Sequence, residues 1–121
     1  MTLNLKDPTL LRQQCYIDGQ WLDARSGGTK PVTNPANGEV LGTVPYMGAE
    51  ETRAAIDAAA AAFPAWAARA AKDRATLLRR WYDLMLANAD DLATLMTAEQ
   101  GKPLAEAKGE IAYAASFIEW F

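Results

Sequence analysis

The sequence changes character near residue 48, and this change constrains the fold more than any other feature. Before it, short apolar stretches alternate with turn residues, a pattern typical of β-hairpins. After it, apolar residues recur at helical spacing as far as Phe121. We therefore predict an α+β chain, mostly α-helical with N-terminal β-hairpins. A tail over residues 1–12, a hairpin region over 13–47 and a helical region over 48–121 would form one partial domain.

Two turn dipeptides define the predicted hairpins. Asp18-Gly19 lies in the middle of residues 15–22, and this pair readily adopts the positive φ angles of a type I′ turn. Asn37-Gly38 marks a second hairpin within residues 31–45, where Pro35 prevents a continued ladder. Because two hairpins alone are only marginally stable in water, we expect them to pack on another element.

Four helices follow, each with recognisable start or stop signals. Their predicted bounds are about Glu50–Ala62, Lys72–Ala87, Asn88–Gly101 and Pro103–Phe121. Pro64 would kink or restart the first helix, and Asn88 would cap the third. Gly101 would end that helix, and Pro103 would occupy the first position of the fourth.

Each helix is expected to bury one apolar face. The predicted faces are Ile56, Ala59, Ala60 and Phe63; then Leu77, Leu78, Trp81, Leu84 and Met85; then Leu92, Leu95 and Met96; and finally Leu104, Ala107, Ile111, Ala114, Phe117, Ile118 and Phe121. The alanine-rich run over residues 58–62 is a strong helix former, and its small side chains would let a neighbouring element approach closely.

Composition argues against several classes of function. The net charge is −3 and the cations are dispersed, which argues against a nucleic-acid partner. The one cysteine, Cys15, allows no intramolecular disulfide, and no stretch is long and apolar enough to span a membrane. Residues 1–11 carry no secretory signal, so we predict a cytoplasmic protein that binds neither nucleic acid nor membrane. With no histidine and no glycine-rich phosphate loop, the chain offers no catalytic or cofactor-binding residue.

The last predicted helix has no capping residue after the apolar cluster at Phe117–Phe121. Such a cluster rarely stays without a partner, so we expect this helix to continue in a longer parent chain and to pack on parts of it. The alternative is a terminal helix that docks in its own core.

Three stretches together resemble the aldehyde dehydrogenase family: Tyr16–Asp23, Val32–Val44 and Glu99–Glu110. The final stretch, Glu110–Phe121, is similar to the branch that oxidises succinate semialdehyde with NADP. The resemblance implies that this chain is the N-terminal part of the α/β Rossmann-type cofactor domain of a homo-oligomeric enzyme. Its partners would be the remainder of its own polypeptide and a small-molecule aldehyde. The catalytic and NADP-binding residues would lie elsewhere, so the chain alone is predicted to be inactive.

The resemblance also implies four candidate site residues. Thr33 and Glu110 would contribute to a monovalent-cation site, since oxygen ligands suit a hard cation. A solvated Glu110, or one paired with Lys108 or Arg53, is the alternative. Tyr113 and Phe117 would line the aldehyde entry tunnel, unless their stripe belongs to the core.

Two further residues are interpreted structurally. Cys15 lies in a predicted strand and is not expected to be the nucleophile of a thiol enzyme. Lys102 lies in Glu99–Pro103, where a helix stop precedes a helix start, so backbone geometry explains this stretch better than a phosphate or substrate contact does. A free-standing helical interaction module, which would bind a partner through the end of its last helix, is the competing hypothesis for the whole chain.

Overall fold

The computed structural model describes residues 3–121, and more than half of them are helical. The strands are β1 (Cys15–Ile17), β2 (Gln20–Leu22), β3 (Thr29–Thr33) and β4 (Val40–Pro45), and the helices are α1 (Ala49–Ala68), α2 (Ala71–Ala87), α3 (Ala89–Gln100) and α4 (Leu104–Trp120). A single 3-10 turn over Pro8–Leu10 precedes them among the described residues. The predicted class, mostly helical with N-terminal hairpins, is confirmed.

The chain divides into two compact units. We name them the helical unit (residues 3–11, 33–41 and 70–121) and the hairpin unit (residues 12–32 and 42–69). Each unit is discontinuous in sequence, because the N-terminal segment belongs with the last three helices. The predicted grouping of all regions into one partial domain stays a prediction.

In the hairpin unit, β1 and β2 form an antiparallel pair. Tyr16 is opposite Trp21 in this register, and their rings lie 5.1 Å apart. The connecting residues Asp18 and Gly19 have φ angles of 50° and 74°, as a type I′ turn requires. The predicted first hairpin is therefore confirmed, and its aromatic cross-strand pair adds to its stability.

Helix α1 is longer than predicted, because it runs through Pro64 to Ala68. The proposed end near Ala62 is wrong. A proline in a helix removes one N–H donor and crowds the preceding turn, but strong helix formers on both sides keep the segment helical.

The predicted apolar face of α1 is also wrong in part. Ile56 and Phe63 are 61% and 65% exposed. The surface facing the β1–β2 turn is built from small residues instead: Ala55, Ala58, Ala59 and Ala62. These side chains let the hairpin approach the helix closely, as the alanine run predicted.

The first turn of α1 is stabilised by Glu51. Its carboxylate accepts hydrogen bonds from the backbone N–H groups of Gly48 and Arg25, each at 3.0 Å. Its own backbone N–H, followed by those of Arg25 and Gly48, lowers the pKa of Glu51. Glu51 therefore satisfies a backbone N–H group at the start of α1 and ties the preceding loop to this helix.

Helices α3 and α4 of the helical unit pack together, and α2 packs on α4. The core is formed by Ala93, Ala107 and Ile111, with Ala89, Leu92 and Met96 packed around it. On α4, Ala107, Ile111 and Ala115 are buried, whereas Phe117 and Phe121 are 47% and 84% exposed. The predicted face is therefore confirmed at Ala107 and Ile111 and wrong at Ala114, where the neighbouring Ala115 is buried instead. Close packing through alanines leaves Phe117 and Phe121 exposed.

Two predicted details of this unit need correction, although the bounds agree within about one residue. Asn88 precedes α3, but its side chain donates to the carbonyl of Leu84 at 2.9 Å and does not cap α3. Asn88 also ends α2, and its side-chain amide forms its hydrogen bond with that preceding helix. Pro103 lies one position before the first helical residue, Leu104. Within residues 3–121, the helices are all too short or too polar to cross a membrane.

Candidate functional site

All four predicted site residues belong to the helical unit, around the connection between α3 and α4. Gly101 ends α3 with a φ of 78°, and its N–H donates to the carbonyl of Thr97 at 2.8 Å. A Cβ atom at Gly101 would lie only 2.8 Å from Cγ of Pro35. The connection is thus held tightly against the turn that follows β3, which confirms the interpretation of Glu99–Pro103 as a helix stop and start.

That turn is itself well ordered by hydrogen bonds. The side-chain oxygen of Asn34 accepts from the N–H of Ala36 at 2.9 Å. The N–H of Gly38, whose φ is 74°, donates to the carbonyl of Asn34 at 2.8 Å. The predicted turn at Asn37-Gly38 is confirmed, and Pro35 is held in place for its contact with Gly101.

Glu110 on α4 forms an ion pair with Nζ of Lys102. The Lys102 side chain is only 20% exposed, whereas that of Glu110 is 48% exposed. Lys108, one of the two cations named in the alternative prediction, pairs with Asp90 at 2.8 Å instead. The loop carries Lys102 back over the first turns of α4, a contact that helical spacing alone does not reveal.

Thr33 is the last residue of β3 and is exposed. Within residues 3–121, no three carboxylate, histidine or cysteine groups cluster as a metal site would require. The cation site at Thr33 and Glu110 stays a prediction.

Tyr113 and Phe117 form one aromatic pair on α4. Their ring centroids are 4.8 Å apart with an interplanar angle of 81°, an edge-to-face arrangement. Tyr113 is 66% exposed, so the alternative that this stripe belongs to the core of this chain is wrong. Phe117 continues into an open apolar surface with Trp120 and Phe121. Their role in an aldehyde tunnel stays a prediction.

Sequence reasoning missed a carboxylate pair at the start of α3. Asp91 is only 5% exposed and accepts hydrogen bonds from the backbone N–H groups of Lys6 at 3.0 Å and Asp7 at 2.8 Å. Its neighbour Asp90 contacts the ammonium groups of Lys108 at 2.8 Å and Lys6 at 3.1 Å. These cations, Lys108 first, lower the pKa of Asp90 from 3.8 to about 2. We call this arrangement the N-terminal clamp.

The comparison with known proteins decides the family. Residues 21–121 match the model of the aldehyde dehydrogenase family, which is most of the chain. The chain belongs to the aldehyde dehydrogenase family.

Individual family members are highly similar to it. A glutarate-semialdehyde dehydrogenase of Pseudomonas putida is 69% identical over 98% of this chain, which covers 25% of that protein. The NADP(+) succinate-semialdehyde dehydrogenase of Escherichia coli is 67% identical over 98% of this chain and 25% of its own length. The crystal structure of an E. coli NADP-dependent enzyme superposes on 97% of this chain and 24% of its own, with a TM-score of 0.95 and 68% identity. The chain thus spans about a quarter of the length of these dehydrogenases.

In this aldehyde dehydrogenase chain, Cys15 lies in β1 opposite Leu22 and is half-buried. A half-buried strand position of this kind suits a small apolar residue. That Cys15 is not a nucleophile stays a prediction, which is tested below.

A concavity of about 350 Å³ lies beside Gly101. Its lining includes Asn34, Thr94 and Thr97. The hydroxyl of Thr97 is buried, and no described residue offers it a hydrogen bond. By contrast, the hydroxyl of Thr94 donates to the carbonyl of Asp90 at 2.8 Å.

We expect Thr97→Val to stabilise the chain, because it replaces a buried, unpaired hydroxyl with a methyl group of similar volume. The gain should be about 1 kcal/mol in the free energy of unfolding, measured by urea titration. Thr94→Val is the matched control and should give no such gain, since it removes a hydrogen bond that is made. A loss of stability in Thr97→Val would show that the hydroxyl is satisfied, for example by ordered water.

Proposed function

We propose that this chain is the N-terminal part of a succinate-semialdehyde dehydrogenase that uses NADP. The observation that carries the proposal is the 67% identity to the E. coli NADP(+) enzyme over 98% of the chain. The similarly high identity to a glutarate-semialdehyde dehydrogenase points to a substrate class, short aldehydes that end in a carboxylate, and succinate semialdehyde is one of its members. We further propose a cytoplasmic homo-oligomer.

In the proposed reaction, a cysteine thiolate outside this chain would add to the aldehyde, and water would hydrolyse the resulting thioester to the acid. NADP, held by residues outside this chain, would supply the hydride-accepting chemistry between these two steps. This chain's own contribution is structural. The packed α2–α4 core and the tight Gly101 connection would hold the first helices of the cofactor domain in place. By itself, the chain is proposed to be inactive.

A chimaera tests this proposal. Residues 1–121 replace the corresponding first quarter of the E. coli enzyme, and NADPH formation is followed with succinate semialdehyde and with glutarate semialdehyde. We expect kcat/KM within about tenfold of the parent, or about 1.4 kcal/mol in transition-state free energy. The same reaction with NAD in place of NADP measures the cofactor preference of the assembled enzyme.

Two controls make the result decisive. The chimaera with Cys15→Ser should be equally active, because the nucleophile is proposed to lie elsewhere. Residues 1–121 alone should form no NADPH. A chimaera that folds and assembles but has no activity would contradict the proposal, as would activity of the isolated chain that Cys15→Ser abolishes.

The competing hypothesis, a helical interaction module, would place its binding surface at the apolar end of α4. Trp120 and Phe121 are 83% and 84% exposed, a larger apolar surface than isolated exposed residues provide. Exposed apolar surface of this kind also predicts that the chain alone self-associates, because its burial contributes about 25 cal/mol per Å². Light scattering over a range of concentrations tests this, and a monodisperse monomer at all of them would count against it.

Phe117→Ala in the chimaera tests the aldehyde tunnel. If Phe117 and Tyr113 line the path of the substrate, removing one ring should raise the KM for succinate semialdehyde by about tenfold and weaken the rejection of long-chain aldehydes. Phe63→Ala removes an exposed ring from α1 and is the matched control, expected to leave both quantities unchanged. An unchanged KM and unchanged chain-length selectivity in Phe117→Ala would rule out the tunnel role.

A further inference from the structure

The Lys102–Glu110 ion pair engages one of the two residues that the family resemblance assigned to a monovalent-cation site, the carboxylate of Glu110. Lys102 lies between two residues of fixed geometry, Gly101 with its left-handed backbone and Pro103 before the first turn of α4. Its backbone direction is therefore restricted on both sides. The side chain is four-fifths buried and reaches the carboxylate of a residue eight positions later.

A free monovalent cation at this position would need a site built for it. Such ions bind through several oxygen atoms, with a carboxylate supplying the compensating charge. Here the ammonium group of Lys102 already neutralises the carboxylate of Glu110. No cluster of three potential ligand side chains from Asp, Glu, His or Cys is present within residues 3–121 to attract a second positive charge. A second cation at Glu110 would therefore meet a carboxylate that is already neutralised and would be repelled by the ammonium group of Lys102.

We propose that Lys102 is the permanent cation of Glu110, so that this chain takes up no free potassium or sodium ion there. A tethered ammonium has a high effective concentration at the carboxylate, whereas a free ion must be captured from solution each time. Partial burial of the lysine also limits screening of the pair by salt. The pairing fixes the α3–α4 connection on α4 independently of which aldehyde the whole enzyme oxidises.

The test compares thermal unfolding of the 121-residue chain in potassium chloride and in choline chloride, each at about 0.2 M. The wild-type midpoint should be the same in the two salts. Lys102→Met should lower the midpoint by about 4 °C in choline chloride, and potassium should recover part of this loss. The double variant Lys102→Met/Glu110→Gln should show no response to potassium. Lys102→Arg, which keeps a positive charge, should resemble the wild type in both salts.

Three results would overturn the proposal. The first is potassium-specific stabilisation of the wild type that Glu110→Gln abolishes, since that would show a free cation at the carboxylate. The others are a wild-type midpoint for Lys102→Met in choline chloride, and a folded Lys102→Met that does not respond to potassium. If Lys102→Met does not fold, thallium-205 NMR of the wild-type chain decides. A sharp free Tl⁺ line supports the proposal, and broadening that Glu110→Gln removes overturns it.

Discussion

Replacing Gly101 with alanine is expected to destabilise the chain by about 3 kcal/mol. About 1–2 kcal/mol comes from forcing a residue with a Cβ atom into the left-handed backbone region, where φ is 78°. The remainder comes from steric overlap, because the new Cβ would lie 2.8 Å from Cγ of Pro35, and crowding of this kind costs about 1–3 kcal/mol. The free energy of unfolding from urea titration, at one protein concentration, measures the sum.

Gly109→Ala is the matched control for this substitution. Gly109 lies within α4, and no atom outside its own helix turn is within 4 Å of a Cβ built there. Because alanine is the better helix former, this change should stabilise the chain by about 1 kcal/mol. A loss of similar size in both variants would show that the position of Gly101 is not special.

The companion variant Pro35→Ala separates the two causes. Combined with Gly101→Ala, it removes the overlapping ring atom and leaves only the backbone strain. The double variant should therefore lose less stability than the sum of the two single variants. Additive losses would mean that Pro35 does not restrict the connection.

Local signals in the sequence predicted the elements of the fold well. Asp18, Gly19, Gly38 and Gly101 have positive φ angles, in the left-handed region that glycine and aspartate tolerate best. Such signals act over two or three residues, so they do not depend on the rest of the molecule. Because Gly101 is a signal of this kind, the predicted end of α3 and start of α4 lie within about one residue of the observed ones.

Faces and partners were harder to predict, because they depend on residues far apart in the sequence. Ile56 and Phe63 looked like a buried face, yet alanines form the surface of α1 that meets the hairpin. The alanine run over residues 58–62 predicts a close approach, but hydrophobicity does not show that Ile56 and Phe63 lie outside this contact. The sequence predicts Glu110 as a site residue, but its partner Lys102 lies eight positions earlier, before the start of α4, and only the structure brings the two side chains together.

The N-terminal clamp is the clearest case of a feature hidden from sequence reasoning. Asp91 follows Asn88 by three residues, which suggests only a helix start. Its actual partners, the N–H groups of Lys6 and Asp7, are 85 and 84 positions away. A carboxylate is rarely buried without hydrogen-bond partners, so the burial of Asp91 in the structure is what shows that it has a specific role.

Asp91→Ala is expected to lower the free energy of unfolding by about 3 kcal/mol. Two hydrogen bonds to a charged acceptor are lost, and each contributes about 1.5–3 kcal/mol. Water can then bond to the freed N–H groups of the N-terminal segment, which offsets part of this loss. Residues 3–11 should also separate from α3, so limited proteolysis should cut them faster. Asp91→Asn should give an intermediate loss, because its amide oxygen can accept only from one side while its NH₂ group faces the other donor.

Asp90→Asn is the control that separates this buried contact from surface charge. Asp90 is exposed and acts through Lys6 and Lys108, so its removal should have a small effect that disappears at high salt, unlike that of Asp91. Because folding lowers the pKa of Asp90 from 3.8 to about 2, its contribution is fully present above pH 3.8 and is lost as the pH falls towards 2. Asp90→Asn should therefore flatten the stability profile in that interval. A large loss in Asp90→Asn that high salt removes, with little change in Asp91→Ala, would show that surface charge and not the buried carboxylate holds the N-terminal segment on α3.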